Sequence, residues 1–583
     1  MSALAPALLD SLRRLLPAPA GSRLDAAADL ALQQVVMALS AALERGELAL
    51  DLEGPAPESL AAAEGDPTAP TDPAAPTDPA WPAAHLAALS AQGWLVEAAA
   101  LDANPEAPVV RDGRWLRWRR WHQQLQHCTT ALISRGQTVL EAAPSAAQRR
   151  KALAMAAAAG LDPQQCAAVE ALLSHRLVLL SGGPGTGKTS TVVQMLAAAL
   201  RLQPQLRLQL AAPTGKAATR LGSAVASGAA ALEPDLAQRL QALSCGTLHR
   251  LLEARGDGAG FRRGRGLPLE LDLLVVDEVS MVDLPLMEAL LAALPDSARL
   301  LLVGDPAQLP PVGPGAVLLE LCRPEALAAL GPAAIELQTT YRNDGAIAEL
   351  AAALRHCPQR GPELLTALRP QLEPLDPGAN VQWLEAPAGR PPADALDRLR
   401  EHQQRLTALA HHLSEAAPAN TASEALLTEL ERLILLSPIR QGPWGVEGVQ
   451  RALLGEALNG PLQRWPLGTP VLNRRNLPEQ GLANGDIGVL VAGPDGGRLV
   501  LFPGGRRLHP ARLVGAEPAL ALTVHKAQGS QYGELLLLLP PGRQLEARLL
   551  YTGLTRARQL ARLYTPPLSD EPSAPMARGQ RAL

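Results

Sequence analysis

Two hydrophobic rhythms alternate along the chain. Residues 1–53 repeat apolar positions every three or four residues, most clearly in ALQQVVMALSAALERG, and predict amphipathic helices. Helical spacing returns after residue 82 and runs to about residue 158. From 160 to 345 the texture changes to short apolar runs separated by helical stretches. LVLLSGG, LQLAAPTG, LDLLVVDE and ARLLLVGD each end in small or polar residues, as strands do at the active edge of a parallel α/β sheet. Residues 355–430 are weakly patterned and mostly helical. A second α/β unit starts at LILLSPIR (433–440) and resumes at LALTVHKAQGS (520–530). Between them, GTPVLNRRN and NGDIGVLVAGPDGGRLVLFPGGRRLHP carry the Asn-Gly turns and short strands of a small antiparallel barrel at about 465–518.

Two segments follow neither rhythm. Residues 54–82 are rich in Pro, Ala, Asp and Thr and contain APTDPA twice, so they predict a disordered insertion that buries no core. The Pro/Ser/Arg-rich tail at 566–583 predicts a frayed end. The pattern therefore divides the chain into a helical N-terminal domain (1–155), an α/β domain (156–345) and a second α/β domain with the barrel inserted (346–565). In the first of these, RWLRWRRWHQQL spaces Trp115, Trp118 and Trp121 at i, i+3 and i+6, which reads as a stripe packed in a helical core.

Composition narrows the class. A chain of 583 residues is too long for one core, and 47% apolar with 19% charged residues is ordinary for a globular protein. The net charge of −4 supplies no global basic field, so any nucleic-acid site must be a local groove. Five scattered cysteines (Cys128, Cys166, Cys245, Cys322, Cys357) form no CxxC pair, which argues for a reducing compartment and against structural zinc. No leader pattern opens the chain and no apolar run reaches about 18 residues, so a cytoplasmic protein with no membrane segment is expected. Among 53 Lys and Arg residues only four are lysines: Lys151, Lys188, Lys216 and Lys526. Lys is a compact point charge where Arg is a planar fork, and three of the four fall in the motifs below.

Gly182–Gly183–Pro184–Gly185–Thr186–Gly187–Lys188–Thr189 follows a predicted strand and opens a predicted helix, followed by Ser190. This is G-x-x-x-x-G-K-[ST] in the context it requires. The glycines let backbone N–H groups converge on phosphate oxygens, and the helix N-terminus adds its dipole. Lys188 would neutralise the β/γ-phosphates of ATP, and Thr189 would ligate Mg²⁺. In LLVVDEVSM a buried strand delivers Asp277 for the Mg²⁺ shell and Glu278 to polarise the attacking water. In LLLVGDPAQLPPVG, Gln308 is suited to sensing the γ-phosphate, because an amide both donates and accepts.

Further motifs say what the ATP drives. LDPQQCAAV precedes the loop; AAPTGKAATRL and GTLHRLL follow it; ELQTTYR, LTVHKAQGSQY and LLYTGLTRAR lie downstream. With the three above, nine separated motifs in this order resemble superfamily-1 DNA helicases, and the wording is most similar to the RecD group, over about residues 160–345 and 433–562. The resemblance implies two RecA-like P-loop domains and an SH3-like character for the inserted barrel, whose NGDIG peptide matches that region. It implies that Gln165 reads the adenine edge, Tyr341 stacks on the base, and Arg342 and Arg556 are arginine fingers. It further implies DNA contacts from Pro213, Thr214, Lys216, Thr247, His249, Thr523, His525 and Lys526. His249 reads equally as a hydrogen-bonded structural histidine. Gln531 stands where the family usually has an acidic residue on the nucleotide ribose, and a glutamine can still hydrogen-bond there.

Within that group the helical N-terminal region, without helix-hairpin-helix repeats, is similar to exodeoxyribonuclease V alpha subunits. That resemblance implies 5′→3′ movement on single-stranded DNA from duplex ends, a heterotrimer with RecB-like and RecC-like subunits docked through residues 1–155, and a nuclease site on a partner. A stand-alone RecD-like helicase and a DNA-dependent ATPase subunit of mainly structural role are the alternatives.

Overall fold

The computed structural model describes residues 4–567 apart from 18, 20–23, 45, 55, 58–79, 142, 256–259, 342–344, 356, 358, 360, 374–377, 416–418, 494, 495 and 541–544. Most of the 54–82 insertion, the tail from 568 and Arg342 lie outside the described residues.

The apolar runs between 160 and 345 form one six-stranded sheet. Its order is Ala334–Leu337, Leu177–Gly182, Arg299–Gly304, Leu273–Val276, Leu208–Ala212 and Cys245–Thr247, every neighbouring pair parallel. Parallel strands covered on both faces read as continuous apolar runs, and alternate side chains serve different cores. Leu177, Leu179, Leu274, Val276, Leu300 and Leu302 pack on one side. Val178, Leu180, Leu273, Val275, Leu301 and Val303 pack on the other, against Val192, Met195 and Leu196 of the helix that follows the P-loop.

The second unit is a five-stranded parallel sheet ordered Val381–Glu385, Ala557–Thr565, Tyr532–Leu538, Leu433–Ser437 and Ala521–Thr523. Two of its strands are not apparent from hydrophobic runs. VQWLE is an edge strand with mixed polarity, and ARQLARLYT interrupts its apolar positions with arginines at its more exposed beginning. Inserted in this unit is a five-stranded antiparallel sheet, order Arg506–Leu508, Arg498–Phe502, Ile487–Ala492, Pro470–Leu472, Glu517–Pro518. Leu490, Val500 and Phe502 fill its own core, while Val489, Val491 and Leu501 pack on the helices Ala393–Glu415 and Ala419–Leu430.

Those two helices bury a titratable pair. His402 is buried, with its Nδ1 3.2 Å from Glu429 Oε1, and Arg405 Nε donates to the same oxygen at 2.8 Å. Burial pulls His402 down to about 4, with Glu429 opposing and Arg405 and Arg432 adding to the shift. The unfolded chain, with an ordinary histidine near 6.5, takes up the proton first. Stability present above about pH 6.5 is therefore lost as pH falls toward the folded value. Acidifying from about pH 7 to about pH 5 is expected to remove about 2 kcal/mol at this site. Thermal unfolding at both pH values checks it, and His402→Gln flattens the dependence.

The N-terminal region departs from the all-helical expectation. The helices Leu4–Leu15, Ala26–Glu44 and Ala83–Ala91 pack beside a four-stranded sheet: Leu50–Asp51, Trp115–Trp118, Val109–Asp112, Leu95–Glu97. The tryptophans sit on a strand and then a helix, because Leu116 and Trp118 share a face at period two and the helix begins only at Arg119. Their packed character holds. Trp118 is in the N-terminal core, Trp121 is half-buried, and Trp115 lies under Arg114, Arg117 and, from the first α/β domain, Arg323. The stretch Ala26–Leu43 has mean hydropathy 1.5, long and apolar enough to cross a membrane. Its Ala31, Leu32, Val35, Val36 and Leu39 are spent on this core instead.

The helix Arg119–Gln137 does not stay with the N-terminal domain. Its Leu125, Cys128 and Leu132 are fully part of the first α/β core, beside Leu177, Leu274 and Leu300. Gly46 O accepts from Gly315 N, and buried Arg117 donates to Asp112 and lies 3.7 Å from Glu320. The N-terminal region and the first α/β domain thus interlock before residue 155.

Candidate nucleotide and DNA sites

The P-loop glycines are there for space and for backbone conformation. A Cβ on Gly182 would come within 2.8 Å of Thr186 Oγ1 and 2.9 Å of Leu337 O; one on Gly187 would meet Gln165 Nε2 at 2.6 Å. Gly185 (φ +80°) and Gly187 (φ +77°) occupy the left-handed region that side chains avoid. Thr186 Oγ1 donates to Gly183 O at 2.9 Å and closes the loop around Pro184, and the helix Lys188–Leu202 starts directly behind it. Lys188 Nζ donates to Gly182 O (2.7 Å) and Gly183 O (2.8 Å). Burial lowers its pKa while Asp305, Glu278 and Asp277 oppose that shift, so the cation is held among three carboxylates. A cradle of this shape, with an ammonium at one end and a helix N-terminus beneath, fits a triphosphate. Thr189, half-buried in the first helical turn next to exposed Ser190, and Asp277 carry hard oxygen donors of the kind Mg²⁺ takes, and would hold it if it binds here.

At the other end of the loop the structure brings Gln165, Gly187 and Tyr341 together. Gln165 is fixed by a capping box with Asp162 and donates from Nε2 to Thr186 O at 3.3 Å. Tyr341 N donates to Gly185 O (2.8 Å), its hydroxyl donates to Asp162 Oδ2 (2.6 Å), and its ring lies 3.7 Å from a Cβ placed on Gly187. The ring is half exposed, which leaves one face for a base.

Asp277 and Glu278 follow the buried strand Leu273–Val276. Burial and the adjacent Glu278 charge hold the Asp277 carboxyl above the usual range. Glu278 sits at φ +53°, an unfavourable conformation for a side-chain-bearing residue, and lies 3.9 Å from Arg220. Gln308 is buried, with Nε2 3.4 Å from Asp305 Oδ2 and its Oε1 among the buried oxygens without a protein partner. That orphaned acceptor is what a water-orienting amide requires.

The second domain grips this loop. Leu309 is inserted in the second domain's core; its N–H donates to Thr552 Oγ1 (2.8 Å), and its carbonyl accepts from Gln528 Nε2 (3.1 Å). Tyr551 donates to Asp305 Oδ2 at 2.7 Å. Arg556, 2% exposed, is oriented by Thr552 O (3.0 Å), Ser530 O (3.2 Å) and Thr555 Oγ1 (3.3 Å). Among the charged groups acting on its guanidinium, Glu278 is foremost and Asp305 is also present.

The expected DNA residues sit at strand ends of both sheets. Pro213 and Thr214 follow the strand Leu208–Ala212, whose Ala212 is in register with Thr247; Thr523 is in register with Ser437. Thr214 and Thr247 each cap a helix. A Cβ on Gly529 would lie 3.6 Å from Thr214 Oγ1, and Lys216 Nζ donates to Ser530 Oγ at 2.9 Å, so the loops of the two domains meet. A Cβ on Gly215 would collide with Ala483, beside the NGD turn of the inserted sheet. His249 is exposed and tilted against Phe261 at 5.8 Å, and His525 is exposed. Lys526 pairs with Glu517 at 2.8 Å, and Glu517 also accepts from Arg440 and Arg474 (2.6 and 2.7 Å). Gln531 lines a cavity of about 580 Å³ with Lys216, Arg220, Asp486 and Arg558.

Sequence reading missed Asp305, Arg355, Tyr551 and Thr552 at the seam, and Arg440, Arg474 and Glu517 at the strand ends. Several lie inside quoted motifs (GDPAQ, LLYTGLTRAR, LILLSPIR), where they were readable; Arg355 carries no local signal because its partners are remote in sequence.

These geometries accompany clear relationships. Residues 165–314 match the AAA domain family and 518–564 the UvrD-like helicase C-terminal domain family. The chain is 38% identical to RecBCD enzyme subunit RecD of Mycolicibacterium smegmatis over 485 residues, 81% of this chain and 82% of that one. It is 37% identical to the Mycobacterium tuberculosis subunit of the same name, covering 84% and 82%. An ATP-dependent RecD2 DNA helicase of Deinococcus radiodurans is 34% identical, covering 68% of this chain and 48% of the relative. A Bacteroides Pif1 bound to single-stranded DNA is a distant structural neighbour at 17% identity and TM-score 0.37, covering 67% and 88%. With a P-loop and two parallel sheets joined at one loop, identity of 37–38% over 81–84% of its length places the chain in the RecD family of RecBCD enzyme subunits.

Proposed function

We infer that the chain is the ATP-driven DNA helicase subunit of a RecBCD-type enzyme, acting in double-strand-break repair by recombination. The observation that carries the reading is the seam itself. Glu278 and Asp305 act on both Lys188 of the P-loop and Arg556 of the other domain, and the loop bearing Gln308 is bonded to Thr552, Gln528 and Tyr551 there.

Lys188 and the loop N–H groups bind the phosphates of ATP, Gln165 and Tyr341 hold the base, and Gln531 reaches for the ribose. Thr189 and Asp277 would hold Mg²⁺, which when bound neutralises charge between the terminal phosphates. Glu278 accepts a proton from the attacking water, which the Gln308 amide orients. Arg556 from the second domain, and Arg342 by its place in YR, supply positive charge to the transferring phosphoryl group. Because Arg556 bonds Ser530 O while Lys216 bonds Ser530 Oγ, closure on nucleotide is transmitted to the loops carrying Thr214, Thr247, Thr523, His525 and Lys526. The inserted sheet extends that groove as an SH3-like module. Movement is 5′→3′, with RecB-like and RecC-like subunits docked on the N-terminal region and the nuclease on a partner.

The reading as a complex subunit, rather than a stand-alone helicase, is favoured by coverage: the chain spans 82% of the mycobacterial subunits but 48% of the RecD2 helicase. Steady-state ATPase with and without single-stranded DNA, first alone and then with co-expressed RecB-like and RecC-like chains, tests both parts. DNA stimulation in the complex is expected; a DNA-independent rate in both settings removes the motor. Deleting residues 1–118 is expected to abolish co-purification while basal ATPase persists. Deleting 1–150 is expected to unfold the motor, since each lost core side chain such as Leu125 or Leu132 costs about 2–5 kcal/mol.

A further inference from the structure

Arg355 ends the helix Ala346–Arg355 of the second domain, and its guanidinium lies in the phosphate loop of the first. A Cβ on Gly183 would collide with Arg355 Nη2 and stand 3.3 Å from the Tyr551 hydroxyl. Arg355 is fastened there by Nε and Nη2, which donate to Tyr551 Oη at 3.3 and 3.1 Å, while Tyr551 in turn donates to Asp305. Among the described residues no carboxylate forms an ion pair with it. Asp305 and Glu336 favour its charged form only from beyond ion-pair distance, so the partly buried guanidinium, held by a neutral phenol, has no carboxylate in contact and can take an anion directly.

Position says which anion. Lys188 Nζ rests on the carbonyl of the same Gly183, so two cations, one from each domain, flank a single residue of the loop. Gln165 and Tyr341, proposed to hold the base, bond the loop instead at Thr186 O and Gly185 O. The ammonium end of a P-loop is where the terminal phosphates lie.

We propose that Arg355 is a contact of the second domain to the terminal phosphate of bound ATP, held in place by Tyr551. This rests on the nucleotide reading above and adds to it a residue outside the YR and TRAR motifs. Its consequence is selectivity. A guanidinium at the terminal phosphate distinguishes ATP from ADP, and its link through Tyr551 to Asp305 ties that distinction to the loop carrying Gln308.

The test is equilibrium binding to the full chain of two fluorescent probes, a mant-labelled ADP and a mant-labelled non-hydrolysable ATP analogue. Arg355→Ala is expected to weaken the triphosphate probe about tenfold or more while leaving the diphosphate within about twofold, as loss of one charge-assisted contact predicts. Arg355→Lys, which keeps the charge, is expected to recover part of the difference, and it also serves if the alanine variant folds poorly. Equal weakening of both probes in both variants would assign Arg355 a purely structural role and overturn the proposal, as would wild-type selectivity in Arg355→Ala. Lys188→Gln separates the two levels. If it binds both probes as wild type does, the nucleotide site itself is misassigned; if it loses them while Arg355→Ala keeps full selectivity, only the present proposal fails.

Discussion

Replacing Lys188 by glutamine is expected to cut DNA-stimulated ATP hydrolysis by about a thousandfold, roughly 4 kcal/mol of transition-state stabilisation. Glutamine has about the length of the lysine stem and can still donate to the carbonyls of Gly182 or Gly183, which Lys188 Nζ now holds at 2.7 and 2.8 Å. The loop therefore keeps its shape. What disappears is the only lysine in the cradle, and with it the charge that offsets Asp277, Glu278 and Asp305. Without that cation the three carboxylates weigh more heavily against an incoming polyanion, so triphosphate affinity falls together with turnover. A coupled ATPase assay at saturating single-stranded DNA reads the rate, and an unchanged melting midpoint shows that the fold persists. A rate equal to wild type would remove the phosphate assignment.

What the sequence disclosed and what it concealed differ by range. The P-loop and the DE pair were legible because each is a local pattern: a buried strand, a turn requiring glycine, a helix start. The expectation that Gln165 and Tyr341 hold a base came from the family resemblance alone. Parallel strands such as LVLLSG and LLVV announce themselves as continuous apolar runs, being covered on both faces. WLRW did not, since three tryptophans at helical spacing mimic a helix, and only pairing with Val109–Asp112 decides for a strand. The contribution of Leu125, Cys128 and Leu132 to the motor core was equally hidden. An amphipathic helix shows that it has a partner, never which one. The seam residues are hidden for the same reason. Arg355 and Tyr551 bond across 196 positions and Tyr551 and Asp305 across 246, and no spacing rule joins them. Lys526 is the converse case: its motif was plain, yet its ion pair with Glu517 means that DNA contacting it as proposed would compete with a carboxylate already shared by Arg440 and Arg474.

Arg556→Ala is expected to leave ATP binding within a few-fold of wild type and lower turnover by about 10³-fold or more, the range of an arginine acting only in the phosphoryl-transfer transition state. The structure gives three reasons. Arg556 belongs to the domain opposite the P-loop, so binding by Lys188 and the loop N–H groups does not depend on it. Its guanidinium is buried and oriented by Thr552 O, Ser530 O and Thr555 Oγ1, so little reorganisation is required when charge develops nearby. Glu278, proposed above to accept the proton of the attacking water, is the leading charge acting on it. The same bonds expose a second effect. Ser530 also receives Lys216 Nζ, so removing Arg556 loosens the link between hydrolysis and the DNA loops. Residual activity in the variant should then respond less to single-stranded DNA than wild type does. Arg556→Lys retains a cation but loses the fork that bonds both carbonyls, and is expected to regain some turnover without regaining the DNA response. Turnover and stimulation measured side by side separate these contributions. Full turnover in Arg556→Ala would show that the charge reaching the phosphoryl group comes from elsewhere.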